Sequence, residues 1–231
     1  MTGPRPVASS PRFEAALRCA VRWHAKQPRK GTRVSYVAHL LGVAALVLED
    51  GGDEAQAVAA LLHDALEDRG GVPVAVRRAE IRRRFGPRVL AIVEGCTDTV
   101  DEPKPPWRLR KEAYLAHLRH VPREVLRVSL ADKLHNARAI LADHARVGDR
   151  VWERFRPRSP RDLLWYYRRA ARIFLEREGG PMAAELQRAV RRMAGLVHAQ
   201  ERSGARDRSV AAMRGSRPAG PGRLVPEERR P

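Results

Sequence analysis

Cysteine is scarce: the chain has two, Cys19 and Cys96, in 231 residues. Two cysteines cannot build a disulfide framework, and neither sits in a CxxC pair. A reducing compartment is therefore expected. No run of about 20 apolar residues exists, which excludes a membrane-spanning helix. The N-terminal stretch MTGPRPVASSPRF lacks the apolar segment of a signal peptide, so a cytoplasmic location is expected. Aromatic residues make up only 5% of the chain, which leaves core packing to aliphatic side chains. No alternating polar–apolar run is long enough for a sheet, and no internal repeat is present. The class expected is all-α.

What is present is arginine. Lys and Arg number 45 against 27 Asp and Glu, a formal charge of +18. Such a balance suits a polyanionic partner: nucleic acid, an anionic membrane or a phosphate-rich small molecule. The basic residues are spread over many segments, so bulk charge alone selects none of these. Hydrophobic residues reach 43%, enough for one buried core, and the length fits one domain plus a tail.

Apolar spacing at Phe13, Ala16, Leu17, Ala20 and Val21 predicts a helix from 13 to about 26. A loop containing Pro28 and Gly31 follows. Further helices are expected over 35–50, with Ser35 as N-cap, and over 53–68, 73–85 and 87–95. After the Pro-rich segment 96–106, helices are expected over 108–120, 122–144 and 160–178. The domain layout is a frayed 1–12, a helical bundle over 13–178, an added helix over 179–201 and a disordered basic tail over 202–231.

Two segments carry the chemistry. His63 and Asp64 interrupt the apolar run AVAALLHDALED. An ionised Asp inside such a run is costly unless paired or bound to metal. A lone His-Asp pair is more often a cap or a satisfied core histidine. On a continuous helix, however, Glu67 would stack on His63 and Asp68 on Asp64 at i,i+4 spacing. Three carboxylates so close repel one another unless a cation lies among them. The second segment is VLRVSLADKLHNARAI, where Asp132 and Asn136 share a side at i,i+4. Asp132 offers a carboxylate and Asn136 an amide. His39 follows Tyr36 on a helix with an apolar side, and by itself reads as an ordinary helix histidine.

Taken in order, RKG…Y..H, LLHDALED, VEGCTD and LADKLHNAR resemble the hydrolase domain of the RelA/SpoT alarmone enzymes and their small stand-alone relatives. These are HD-superfamily phosphohydrolases, and the resemblance covers residues 13–175. It implies a compact HD bundle and a divalent cofactor of the manganese type, held by His39, His63, Asp64 and Asp132. It places Glu67 and Asp68 at the attacking water, Arg29 and Lys30 on substrate phosphates, and Asn136 near the sugar. It adds Arg110, Lys111 and Tyr166 as further substrate contacts, with core packing the competing role for Tyr166. Three positions depart from the family pattern. Leu40 stands where a Pro follows the first metal His, Arg69 where a Thr follows the Glu-Asp pair, and Thr97-Asp98 where Thr-Lys ends the middle helix.

The function implied is hydrolysis of guanosine 3′,5′-bis(diphosphate) with release of pyrophosphate. Two rivals stand beside it. One is an HD phosphohydrolase for another nucleotide or phosphorylated cofactor. The other is a basic nucleic-acid-binding protein acting through its tail, against which the basic segments show no aromatic interleaving.

Overall fold

The computed structural model describes residues 10–68, 70–155 and 159–215, with 204–215 described as backbone only. The expectations for residues 1–9, for Arg69 and for 216–231 lie outside the described residues. Eight helices form the described chain: α1 (Pro11–Trp23), α2 (Val37–Glu49), α3 (Glu54–Leu62), α4 (Val74–Cys96), α5 (Trp107–Leu118), α6 (Arg123–Val147), α7 (Pro160–Arg177) and α8 (Gly180–Gly215). A 3-10 segment, Gly148–Arg154, joins α6 to α7. The all-α architecture expected from the pattern is the one found, with no strand among the described residues.

Helix ends follow local chemistry. Ser10 caps α1 by accepting from the amides of Arg12 and Phe13. Asp53 and Gln56 cap α3 reciprocally. Each such cap contributes about 1 kcal/mol. Inside α4, Gly86 takes φ 83°, a left-handed conformation suited to glycine, and Pro87 follows it. The break expected between two helices is therefore a kink within one element.

α6 is the axis of the bundle. Its buried row, including Leu126, Val128, Leu130, Ala131, Leu134 and Ala137, meets α2, α3, α4 and α8. Burying a Leu or Val of this kind stabilises by roughly 1.5–3 kcal/mol. α7 and α8 pair along their length and close the open side of α6.

Three boundaries differ from those read in the sequence. The helix expected over 53–68 stops at Leu62, and 63–68 run on as successive turns. Near that end, the Ala60 carbonyl accepts the Nδ1–H of His63 at 2.8 Å, so an imidazole occupies an acceptor of the last turn. Ser35 is not the N-cap of α2, which begins at Val37; Ser35 instead pairs with Pro28 in an isolated antiparallel bridge. That bridge closes the 28–35 loop into a small hairpin, with Arg29 donating to Val34 at 2.7 Å. Finally, α8 continues to Gly215 rather than ending near 201. The added stretch is rich in Arg and Ala, both good helix formers.

Candidate metal centre

The turn after α3 delivers His63 and Asp64 to the floor of the bundle, where α2 brings His39 and α6 brings Asp132. His39 Nε2 lies 3.2 Å from Asp132 Oδ1 and 3.8 Å from Asp64 Oδ2. His63 Nε2 lies 3.1 Å from Asp64 Oδ2 and 3.8 Å from Asp132 Oδ1. Ligand atoms of His39, His63 and Asp64 all fall within 4.8 Å of one another, a spread that one ion could bridge.

The protonation pattern fits a metal. A carbonyl only accepts, so His63 Nδ1 carries its hydrogen toward Ala60 and leaves Nε2 facing the carboxylates. That Nε2 is buried and has no hydrogen-bond partner, despite its short distance to Asp64. Two imidazoles and two carboxylates are a donor set for borderline divalent ions. Without an ion the carboxylates act on the ring instead. Burial by itself lowers the pKa of His63, but Asp64 and Asp132 outweigh it and push it up to about 9. Burial lowers that of His39.

Surrounding groups hold these candidate ligands. Tyr36 donates its hydroxyl to Asp64, and burial raises the phenol's pKa further from neutrality. His39 Nδ1 meets His135 Nδ1 at 3.0 Å. His135 is pushed down to about 4 by burial and by His39, so it is neutral near pH 7. Its ring occupies space left by Gly42 of α2, where a Cβ would come within 2.3 Å of it. Asp132 is gripped by Lys133 and by the Asn136 amide. Asn136 in turn accepts from Arg29 at 2.9 Å, linking the ligand cluster to the 28–35 hairpin.

The two carboxylates after the ligands are placed differently. Glu67 accepts from the Asp98 amide at 2.6 Å, and burial together with Asp64 pushes its carboxyl up to about 7. Asp68 accepts from Gln27 at 2.8 Å. The i,i+4 stack expected of a continuous helix is replaced by turns, which send these side chains to separate partners.

Beyond Asn136 lies a cavity of about 220 Å³ whose walls include Arg29, Lys30, Lys111, Lys133, Arg154 and Tyr166. Tyr166 is 4% exposed and its hydroxyl has no hydrogen-bond partner. It is thus both a packed side chain and a cavity wall, with Lys111 Nζ 5.0 Å from its ring centre. Arg110 does not line this cavity. It is tied to Asp98 and the Pro105 carbonyl, while Lys111 reaches Asp98 at 2.9 Å and still faces the cavity. Asp98 thus binds both members of the basic pair, and of the two only Lys111 also lines the cavity.

Tyr36, His135, Lys133 and Arg154 were not among the sequence candidates. The signal available for His135 was its place one residue before Asn136 in LADKLHN, with Gly42 opposite.

The bundle and its buried imidazole–carboxylate cluster define a helical domain of the metal-binding kind. The chain belongs to the HD domain family, whose profile matches residues 16–160. Among curated relatives, guanosine-3′,5′-bis(diphosphate) 3′-pyrophosphohydrolase MESH1 of Xenopus tropicalis is 38% identical over 126 residues, covering 53% of this chain and 66% of the relative. A probable enzyme of the same name from Synechocystis is 31% identical over 157 residues, 63% of this chain and 19% of the relative. The chain thus spans about two thirds or less of these relatives' lengths. Among solved structures, a metazoan SpoT ortholog that hydrolyses ppGpp superposes with TM-score 0.64 at 22% identity, over 83% of this chain and 98% of that one. A protein of Listeria monocytogenes superposes with TM-score 0.57 at 29% identity, over 66% and 96%. No described helix is long and apolar enough to cross a membrane.

Proposed function

We propose that this chain is a metal-dependent phosphohydrolase that releases pyrophosphate from guanosine 3′,5′-bis(diphosphate). One observation carries the reading: the unpartnered, buried Nε2 of His63 lies in a carboxylate cluster that Asp132, Asn136 and Arg29 join to a cation-walled cavity. The reaction named for the Xenopus and Synechocystis relatives supplies the substrate.

In this reading His39, His63, Asp64 and Asp132 hold one divalent ion, manganese by the resemblance. When bound, such an ion would supply Lewis-acid polarisation and a water pKa lowered towards neutrality. Glu67, with its carboxyl pushed up to about 7, is matched to accept a proton at physiological pH. Asp68, fixed by Gln27, orients the attacking water. Arg29, Lys30 and Lys111 neutralise the phosphoryl oxygens, with the Arg29 guanidinium presenting a planar fork. Arg29 Nη1 is buried without a hydrogen-bond partner and is available for such a contact. Asn136 and Tyr166 border the nucleoside. Arg110, held by Asp98, acts through that carboxylate rather than on substrate.

The test is product analysis with Mn²⁺ and a panel of ppGpp, NADPH, GTP and dATP. Pyrophosphate from ppGpp, lost in Asp64→Ala, is the expected result. Turnover of another member instead assigns the chain to a different nucleotide or phosphorylated cofactor. No turnover of any of them, with metal shown bound, overturns the reading.

A further inference from the structure

We propose that the outer face of α7, together with α8, is a binding groove for single-stranded RNA. α7 divides its residues between two sides. Leu163, Tyr166 and Tyr167 line the cavity beside the metal cluster. Arg161, Trp165, Arg168, Arg169 and Arg172 point the other way, into a hollow of about 540 Å³ between α7 and α8. The two cavities share no lining residue.

This hollow is the middle of a longer groove. Arg168 and Arg172 also wall an adjoining hollow of about 420 Å³ together with Arg191 of α8. Trp165 and Arg169 wall a third, of about 310 Å³, together with Arg119 at the end of α5. Arg161, Arg168 and Arg172 recur at i, i+7 and i+11 and so share one helix face, about 16 Å from first to last.

The charge along this groove is only partly answered. Glu201 pairs with Arg161, and Glu176 stands 3.8 Å from Arg172. Arg119, Arg168, Arg169 and Arg191 are exposed and have no carboxylate at ion-pair distance among the described residues. Like charges gathered in this way repel one another and call for an anion.

Three features choose among anions. The site is a trough with shared walls, which suits a threaded chain better than a flat lipid surface. A second copy of this face would bring arginine against arginine. Trp165 is half-buried in the groove wall, with the Arg108 guanidinium 3.3 Å above its ring centre. An indole stacked with a guanidinium is a platform for an unpaired base, and arginines on either side suit the backbone phosphates. Unstacked bases are what RNA loops and ends present. The aromatic interleaving absent from the linear sequence is created here by packing Trp165 among arginines of three helices.

The experiment is fluorescence anisotropy of a labelled U12 RNA titrated with the full chain over a salt series. A 12-base-pair RNA duplex and phosphatidylserine vesicles serve as competitors. The expected result is binding to U12 with log K falling on log salt at a slope near −3, as about four phosphate contacts give on a single strand. Arg168→Glu with Arg169→Glu should weaken it at least 30-fold and shallow the slope by about 1.4. Trp165→Ala should weaken it about 10-fold. Nucleotide hydrolysis should be unchanged in all variants, which also reports that they are folded. Wild-type affinity in the double variant overturns the proposal, because binding then resides elsewhere, as in the Arg-containing C-terminal residues. Competition by duplex or vesicles as strong as by unlabelled U12 overturns it too.

Discussion

The Nδ1 atoms of His39 and His135 face each other at 3.0 Å, a neutral imidazole on α6 fixing the ring of a candidate ligand on α2. His135 lies outside the donor set that includes His63 and Asp64, and its contact is with the ring of His39. Groups in this position hold the tautomer and ring angle of the ligand they touch.

Replacing His135 with Ala should therefore lower Mn²⁺ affinity by about 10–100-fold while leaving the fold intact. Calorimetric titration with Mn²⁺, beside a circular dichroism melt, reads both quantities. Gly42→Ala should act in the same direction, since its Cβ would come within 2.3 Å of the His135 ring and displace it. Unchanged Mn²⁺ affinity in both variants would remove His135 from the site.

Metal binding should release protons. His63 in the metal-free protein is raised to about 9, and a metal requires the neutral ring. Apparent affinity should then climb as pH rises from 7 towards 9, by up to about tenfold per unit. For folding the sign is opposite. A raised histidine pKa contributes stability that is complete below the unfolded value of about 6.5 and is lost as pH passes through 9. Titrations in two buffers of different ionisation enthalpy count the protons, and metal-free melts from pH 6 to 9.5 follow the stability.

Glu67→Gln should cost about 10²–10⁴ in turnover with metal still bound, the range expected for a lost general base. The same change should raise the melting temperature of the metal-free protein above pH 7. The Glu67 carboxyl is held at about 7, so its contribution to stability is complete below the unfolded value near 4.5 and is lost as pH rises through 7. A melting temperature that falls at pH 8 would contradict this.

Cys96 should resist iodoacetamide at pH 8 in the folded protein and react after denaturation. Burial pushes its thiol up to about 12, and the thiolate is the reactive form. Peptide mass spectrometry of the two samples decides it.

Gly95→Ala should destabilise by about 1–3 kcal/mol, the usual cost of overpacking. The added Cβ would meet Val125 of α6 at 2.7 Å, and both residues lie where α4 crosses α6. Thermal or urea unfolding measures it.

Helical periodicity and Gly-Pro punctuation carried most of the fold in the sequence, because amphipathic helices advertise their buried face. The kink at Gly86-Pro87 and the start of α7 at Pro160 are examples. The His63-Asp64 pair was legible because charge within AVAALLHDALED needs a reason. The helical stack that i,i+4 spacing predicts does not form: the backbone leaves the helix at Leu62, so Glu67 and Asp68 diverge. Tyr36 and His135 were hidden because their partners lie 28 and 96 residues away in sequence, and only the crossing of α2 with α6 and the α3 turn joins them. Arg110 stood as a substrate contact through the resemblance alone, and only the fold shows Asp98 and the Pro105 carbonyl holding it.

The chain of contacts from Asp132 through Asn136 to Arg29 ties the proposed ion site and the 28–35 hairpin into one unit. If the ion and the nucleotide bind at the two ends as proposed, their occupancies would be thermodynamically linked. Whatever factor an ion adds to nucleotide affinity, the nucleotide must return to ion affinity. At scarce metal, bound substrate would recruit the ion, and departure of either one would loosen the other.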